Sequence, residues 1–360
     1  MGKVLISSEK IDTSIMGAHA FRIRYHSHDV QGKKTESTGL VISPSAPGTN
    51  RKVVSWGHGT TAIGDGGTPS ACPDPARELT TYFASGSLTQ IDFGIPGLQK
   101  FIDEDWIVVA TDYQGLGTPG VHQYTVNRTN AIDTVTIVHA AREMELGAGT
   151  KFGVFGWSQG GGTAAAAVEL EPADYGDLEI VGAAAMSPGV PIIAVKLPGL
   201  GSALGGSDIP PDSHLFMILA GMAAAFPETL SLDDVFTPLG KQIFEENWNV
   251  QPVHHLGDIL SRAYKHGGQV MAINKEKFPA WIAAFGAGSA TLKKPVAPVL
   301  VLIDSQYDGP NPVSWQTGYI DAITALGGDI TSTDYPNDDH FSLPKSSVDE
   351  VRTWLGAKFA

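Results

Sequence analysis

A five-residue segment, Gly156-Trp157-Ser158-Gln159-Gly160, constrains this chain more than any other. The apolar run Phe152 to Gly156 leads into it, and the small-residue stretch GGTAAAAVEL, Gly161 to Leu170, follows it. The first reads as a strand and the second as a helix. A strand that passes so abruptly into a helix holds Ser158 in a tight turn with strained backbone angles. Side chains at the flanking positions would collide with neighbouring elements, and glycines remove that collision. The turn lifts the serine hydroxyl above the sheet, and the Gln159 amide opens the helix towards the point where a negatively charged oxygen would form. Five-residue patterns occur by chance. The strand before and the helix after are what turn an incidental serine into a candidate nucleophile.

The rest of the chain supplies the sheet that such a turn needs. Phe21 to Tyr25 and Gly39 to Ile42 read as short strands around a turn at Asp29-Val30-Gln31-Gly32. Lys52 to Trp56, Trp106 to Ala110, Ile180 to Ala185 and Val299 to Ile303 read as further strands. Asn130 to Glu145 carries Ile132, Val135, Val138 and Ala141 at helical spacing. Strands separated by helices imply an α/β fold whose mainly parallel sheet is covered on both faces. From Pro188 to Ala290 the rhythm breaks into helix-like sequence interrupted by Pro and Gly, with no clear strand. The expected organisation is a core of residues 1–187 and 291–360, with 188–290 inserted as a helical cap or lid. Within the insertion, Leu215 to Phe226 is too apolar to face water alone, which makes Phe216, Met217 and Met222 candidates for a substrate pocket.

Partners for Ser158 should follow it in the order acid, then histidine. His340, on the loop before the last helix, is the expected base. The strand Val299 to Ile303 runs into Asp304-Ser305-Gln306-Tyr307-Asp308-Gly309-Pro310-Asn311-Pro312. Asp308 is preferred as the acid because it lies out in the loop, whereas Asp304 adjoins the strand end and stays the alternative. Asp338 and Asp339 stand too near His340 in sequence. Upstream, Trp56-Gly57-His58-Gly59-Thr60-Thr61 follows a strand, and its glycines would let backbone approach a substrate. An amide near Thr60 is expected to complete an oxyanion hole with that of Gln159. His58 is expected to brace that loop rather than act as base.

Composition removes several other classes. Asp+Glu 38 against Lys+Arg 24 gives a formal charge of -14, and no Lys/Arg cluster offers a phosphate-binding patch. Nucleic acid is therefore not expected as a partner. The longest apolar run is about a dozen residues, too short to span a bilayer, so stable membrane insertion is not expected either. The single cysteine, Cys72, excludes an intrachain disulfide and a cysteine-based zinc site. Neither His26-Ser27-His28-Asp29 nor the adjacent His254-His255 has metal-ligand spacing. Gly115 to Gly120 fits G-x-G-x-x-G, but Pro119 delays the helix, and no acidic strand end follows at the distance a dinucleotide site needs. No metal or organic cofactor is expected. The opening MGKVLISSEKIDTS lacks the apolar run of a signal peptide, which places the chain as written in the cytoplasm, or outside the cell if a leader has been removed.

Taken together, SWGHGTTA (Ser55 to Ala62), ATDYQGLGTPG (Ala110 to Gly120), GWSQGG (Gly156 to Gly161), Asp308 and His340 resemble the α/β-hydrolase superfamily. The nearer resemblance is to its secretory-lipase (lipase A-like) family. GWSQGG marks the superfamily and TDYQGLG is the more family-specific element. The resemblance implies hydrolysis of small-molecule carboxylic esters, with Ser158 as nucleophile, His340 as base and Asp308 as acid. Amidase, lactonase or carbamate hydrolysis by the same residues, and non-catalytic ligand binding, are the alternatives.

Overall fold

A computed structural model describes residues 2–85, 87, 89–196, 209–305 and 309–360. Nine strands form one sheet. They are β1 (Leu5–Ile11), β2 (Ala18–His28), β3 (Lys34–Pro44), β4 (Arg51–Gly57), β5 (Ile107–Thr111), β6 (Ala148–Trp157), β7 (Glu179–Met186), β8 (Val299–Ile303) and β9 (Ile330–Asp334). Their order across the sheet is β1-β2-β3-β5-β4-β6-β7-β8-β9. The first three run antiparallel, with Gly32 closing the β2–β3 turn by donating its amide to the Asp29 carbonyl (2.8 Å). From β5 to β9 every pairing is parallel. This is the α/β-hydrolase fold that the motifs imply.

Both faces of the central strands are buried, as the apolar runs require. Alternate residues serve opposite layers. Val53, Val109 and Val154 pack with Val135 and Ala164, from α2 (Asn127–Glu143) and α3 (Gln159–Ala167). Val54, Val108 and Phe155 pack with Phe101 and Leu355, from α1 (Leu98–Asp103) and the terminal helix Leu343–Lys358. A short helix, α4 (Pro172–Tyr175), joins α3 to β7.

Between β7 and β8 the described residues form helices. These are α5 (Pro191–Lys196), α6 (Ser213–Ala225), α7 (Pro238–Asn247), α8 (Val253–Gly267) and α9 (Phe278–Ala287). A single bridge, Phe236 to Met271, is the extended pairing found there among the described residues. The chain then passes through β8, α10 (Val313–Ala325), β9 and α11 (Leu343–Lys358). Among the described residues no helix is long and apolar enough to cross a membrane.

Candidate active site

The turn at Ser158 has the strain its sequence predicts. Ser158 sits at φ 59 and ψ -115, a region that L side chains rarely enter and that costs about 1–3 kcal/mol. Neighbouring backbone holds it there. Its amide donates to the Met186 carbonyl (3.0 Å), and its carbonyl accepts from the amides of Gly162 (3.1 Å) and Gly189 (2.8 Å). The flanking glycines are sterically required. A methyl group on Gly160 would run into the Gly57 carbonyl oxygen, and one on Gly156 into the Gly160 carbonyl oxygen. The helix α3 therefore starts hard against β4, which brings the loop after Gly57 next to Ser158.

That loop is braced from behind. The His58 ring contacts the carbonyls of Gly59 (Nδ1, 2.7 Å) and Asp112 (Nε2, 3.2 Å), and burial lowers its pKa. A neutral ring donates through one nitrogen only, and this ring faces backbone carbonyls and lines neither cavity that Ser158 borders. Thr60 has its hydroxyl tied to Tyr124 OH at 2.6 Å. Gln159 is held through its side-chain amide, which donates to His122 Nε2 at 2.7 Å. His122 Nδ1 in turn donates to the Gln114 carbonyl (2.8 Å), and burial depresses this imidazole to about 3, so it stays neutral and can accept. The segment Thr111 to Val126 thus anchors both proposed oxyanion donors, Thr60 and Gln159. Its Gly-rich stretch serves this packing. Gly115 stands at φ 82 with its α-carbon against the His122 backbone.

His340 precedes α11 and is buried. Trp157 Nε1 donates to its carbonyl at 2.7 Å, with the two rings 5.3 Å apart. Ser158 and His340 line the same small cavity, of about 30 Å3. On the Nδ1 side of His340 stand Ser187 Oγ at 3.0 Å and Asp304 Oδ2 at 3.5 Å. Asp304 is fully buried. Its Oδ1 accepts from Gln316 Nε2, while Oδ2 accepts no hydrogen bond. Asp308 lies outside the described residues. Gly309, next in the chain, packs against His340, where a methyl on the glycine would come within 3.2 Å of the histidine Cβ.

Ser158 also forms part of a second, larger cavity of about 360 Å3, walled mostly by apolar groups. Pro191 and Ala194 of α5, Leu215 and Ile218 of α6, and Trp315 of α10 face it. The space beside the serine is therefore closed jointly by the sheet's carboxyl edge and by the helices inserted after β7.

Comparison with known proteins bears on the family pattern and the fold. The secretory-lipase family pattern matches residues 80–249. The chain has the α/β-hydrolase fold and is similar to the secretory lipases over that stretch. The rice cell wall degrading esterase LipA from Xanthomonas oryzae superposes with a TM-score of 0.75 at 17% identity, covering 97% of each chain. Candida Antarctica lipase A gives 0.73 at 14% identity, covering 99% of this chain and 81% of that one. Identities this low speak for the fold alone, and the pattern matched over residues 80–249 is one of secretory lipases. No curated protein matches the sequence.

The pocket residues expected on α6 do not line the cavity. Phe216 stacks on Phe236 with ring centroids 4.1 Å apart, and Met217 and Met222 are buried in the main hydrophobic cluster. His214, Leu215 and Ile218 line the cavity instead. Successive helical residues are about 100° apart, so residues 214, 215 and 218 share one face and 216 and 217 turn to others. Composition marked the apolar run; only the register says which face meets the cavity. Ser187 was also missed. Parallel pairing of Trp157 with Met186 carries each strand one residue further to a serine, which places Ser187 beside Ser158 at φ 44. A serine directly after the neighbouring strand, followed by Pro-Gly, was the signal available.

Proposed function

We propose that this hydrolase cleaves carboxylic esters by two-step acyl transfer through Ser158, with His340 as the base and Asp308 as the acid that orients it. His340 Nε2 takes the Ser158 proton as the hydroxyl attacks the ester carbonyl. The amides of Gln159 and Thr60 hold the resulting oxyanion, and His340 returns the proton to the departing alcohol. Water then repeats the sequence on the acyl-enzyme. One observation carries this reading: Ser158 is held at a strained φ of 59 in a cavity wall that it shares with His340. A hydrogen bond from His340 Nδ1–H leaves Nε2 free to accept, which is the tautomer a base needs. Residues 188–290 act as the cap, and the 360 Å3 cavity beneath it receives the acyl chain. The secretory-lipase match supports export from the cell.

A second reading of the acid rests on a contact. Asp304 Oδ2 stands 3.5 Å from His340 Nδ1 with no hydrogen bond of its own. Asp308 is preferred for its place further out in the loop, while Gln316 ties Asp304 Oδ1 and the Asn311 carbonyl (2.7 Å) to α10. Asp304 then braces the loop that carries the acid.

The test of the function is Ser158→Ala, assayed on p-nitrophenyl esters of increasing chain length. Turnover should fall by at least about 10⁴-fold with the thermal midpoint retained. Retained ester turnover in this variant would remove Ser158 from the reaction.

A further inference from the structure

Ser158 borders two spaces of different size. The larger is apolar and roofed by α5 and α6. The smaller, about 30 Å3, reaches His340; its wall includes apolar groups such as Trp157 and Phe341, and among them stand the polar residues Thr60, Asp92, His214 and His254 with Ser158 and His340. It is far too small for an acyl chain. About 10–15 Å3 open to a water-sized sphere is enough to hold one water, provided two to four polar partners are present. This space meets both conditions.

Asp92 is the unexplained member of that wall. It is a carboxylate only 6% exposed, in a segment without regular structure, and nothing in acylation calls for it. Its Oδ1 accepts the Tyr82 amide at 2.5 Å. The Tyr82 ring stacks on His254, with centroids 4.7 Å apart and 19° between planes. One short segment thus fixes Asp92 and stacks on His254 of α8, and both residues line the same space. Such a buried carboxylate costs stability unless something polar meets it. Burial raises its pKa to about 6, and His340 counters part of that rise.

We propose that this small space is a water cell for deacylation, and that Asp92, with His254 in the same wall, positions the water that attacks the acyl-enzyme. The inference rests on the acyl-enzyme reading above. With an acyl chain in the large cavity, a water in the cell stands beside His340 and the acyl carbon. Its oxygen bonds to the carbonyl carbon while His340 Nε2 takes one of its protons. The tetrahedral intermediate then collapses, the bond from carbon to Ser158 Oγ breaks, and His340 returns that proton to Oγ. The acid leaves, and no other reactant is needed. Asp92 accepts the water's second proton as a hydrogen bond and so fixes its approach. It is a positioning residue that leaves acylation by an activated ester to Ser158 and His340.

The experiment separates the two steps in single turnovers on p-nitrophenyl butyrate. Release of p-nitrophenol reports acylation, and decay of the butyryl adduct in the intact mass reports deacylation. Asp92→Leu, which fills the cell with an apolar group, should slow deacylation at least tenfold while acylation stays within threefold of wild type. Asp92→Asn keeps the Tyr82 contact and a polar group in the cell, and should deacylate within threefold of wild type. His254→Leu lies at a half-buried position, spares the Tyr82 amide and should slow deacylation severalfold, so it decides the matter if Asp92→Leu does not fold. Acylation and deacylation falling by one factor in the leucine variants, or deacylation unchanged in both, overturns the water cell. Absence of any butyryl adduct in the wild-type enzyme would instead overturn the acyl-enzyme reading beneath it.

Discussion

The elbow around Ser158 and the helical insert after β7 close the same cavity by different means. At the elbow, backbone touches backbone. Gly156 and Gly160 admit contacts that no side chain could share, and the Ser158 carbonyl accepts from two amides. In the insert, side chains do the work. Phe216 stacks on Phe236, and Leu256 and Leu260 of α8 bury one stripe of an amphipathic helix. Backbone contacts fix positions to a fraction of an ångström, whereas apolar faces tolerate exchange of one shape for another. In the proposed mechanism the chemistry rests on the first kind of structure and substrate choice on the second. Substitutions in the two regions should therefore fail in different ways.

The largest effect is expected where the insert returns to the sheet. Asp308→Asn should lower kcat by about 10²–10⁴-fold with little change in the thermal midpoint, because a neutral partner no longer fixes the histidine tautomer. Asp304→Asn keeps an amide oxygen that can accept from Gln316, so stability, read by urea unfolding, and activity should both change little. If Asp304→Asn removes activity and Asp308→Asn keeps it, the two roles are exchanged, and the acid belongs to the strand end rather than to the outer loop.

This pair also shows where the sequence was legible. The central strands and the elbow were readable because burial on both faces leaves unbroken apolar runs, such as Ile107 to Thr111 and Val299 to Ile303. The two edge strands were not. In β1 the five residues between Leu5 and Ile11 are exposed, and β9 reads ITSTD with every residue at least partly exposed, so neither shows strong patterning. An edge strand is specified by its neighbour's free hydrogen bonds, which a sequence does not display. For the site, motif and chain order brought Ser158, His340, Thr60 and Gln159 into view. Ser187, Asp92 and His214 stayed hidden because each is a single polar residue without a motif, placed by tertiary packing alone. Helix register likewise turns Phe216 and Met217 away from the face that lines the cavity, and Met222, one turn beyond Ile218, lies past its lining.

Next in size is a glycine at the elbow. Gly160→Ala should destabilise the fold by about 3 kcal/mol or more, since the new methyl must displace the Gly57 carbonyl and with it the start of β4's loop. Chemical denaturation measures it, and an ordinary midpoint would mean that the elbow is softer than its contacts imply.

The insert should separate stability from selectivity. Phe216→Ala opens a hole against Phe236 and should cost about 3 kcal/mol in stability. The ratio of kcat/KM between long and short acyl esters should stay put. Ile218→Phe, on the face that meets the cavity, should lower that ratio about tenfold at an ordinary midpoint. Both variants moving the same quantity would dissolve the distinction between the two faces of α6.

The smallest effect is the counterpart of the elbow glycine. Gly286 lies in α9 with nothing within 4 Å of a new methyl group. Gly286→Ala should stabilise by about 0.5–1 kcal/mol through helix propensity alone. The same chemical change then has opposite signs in the two regions, and a destabilised Gly286→Ala would show that the insert is packed as tightly as the sheet.

The central claim is that Ser158 is the nucleophile, and mapping a fluorophosphonate label by peptide mass spectrometry tests it most directly. The account predicts one adduct per chain, on the peptide carrying Ser158, and none in Ser158→Ala. A stoichiometric adduct on another serine, with Ser187 the nearest competitor, would contradict it.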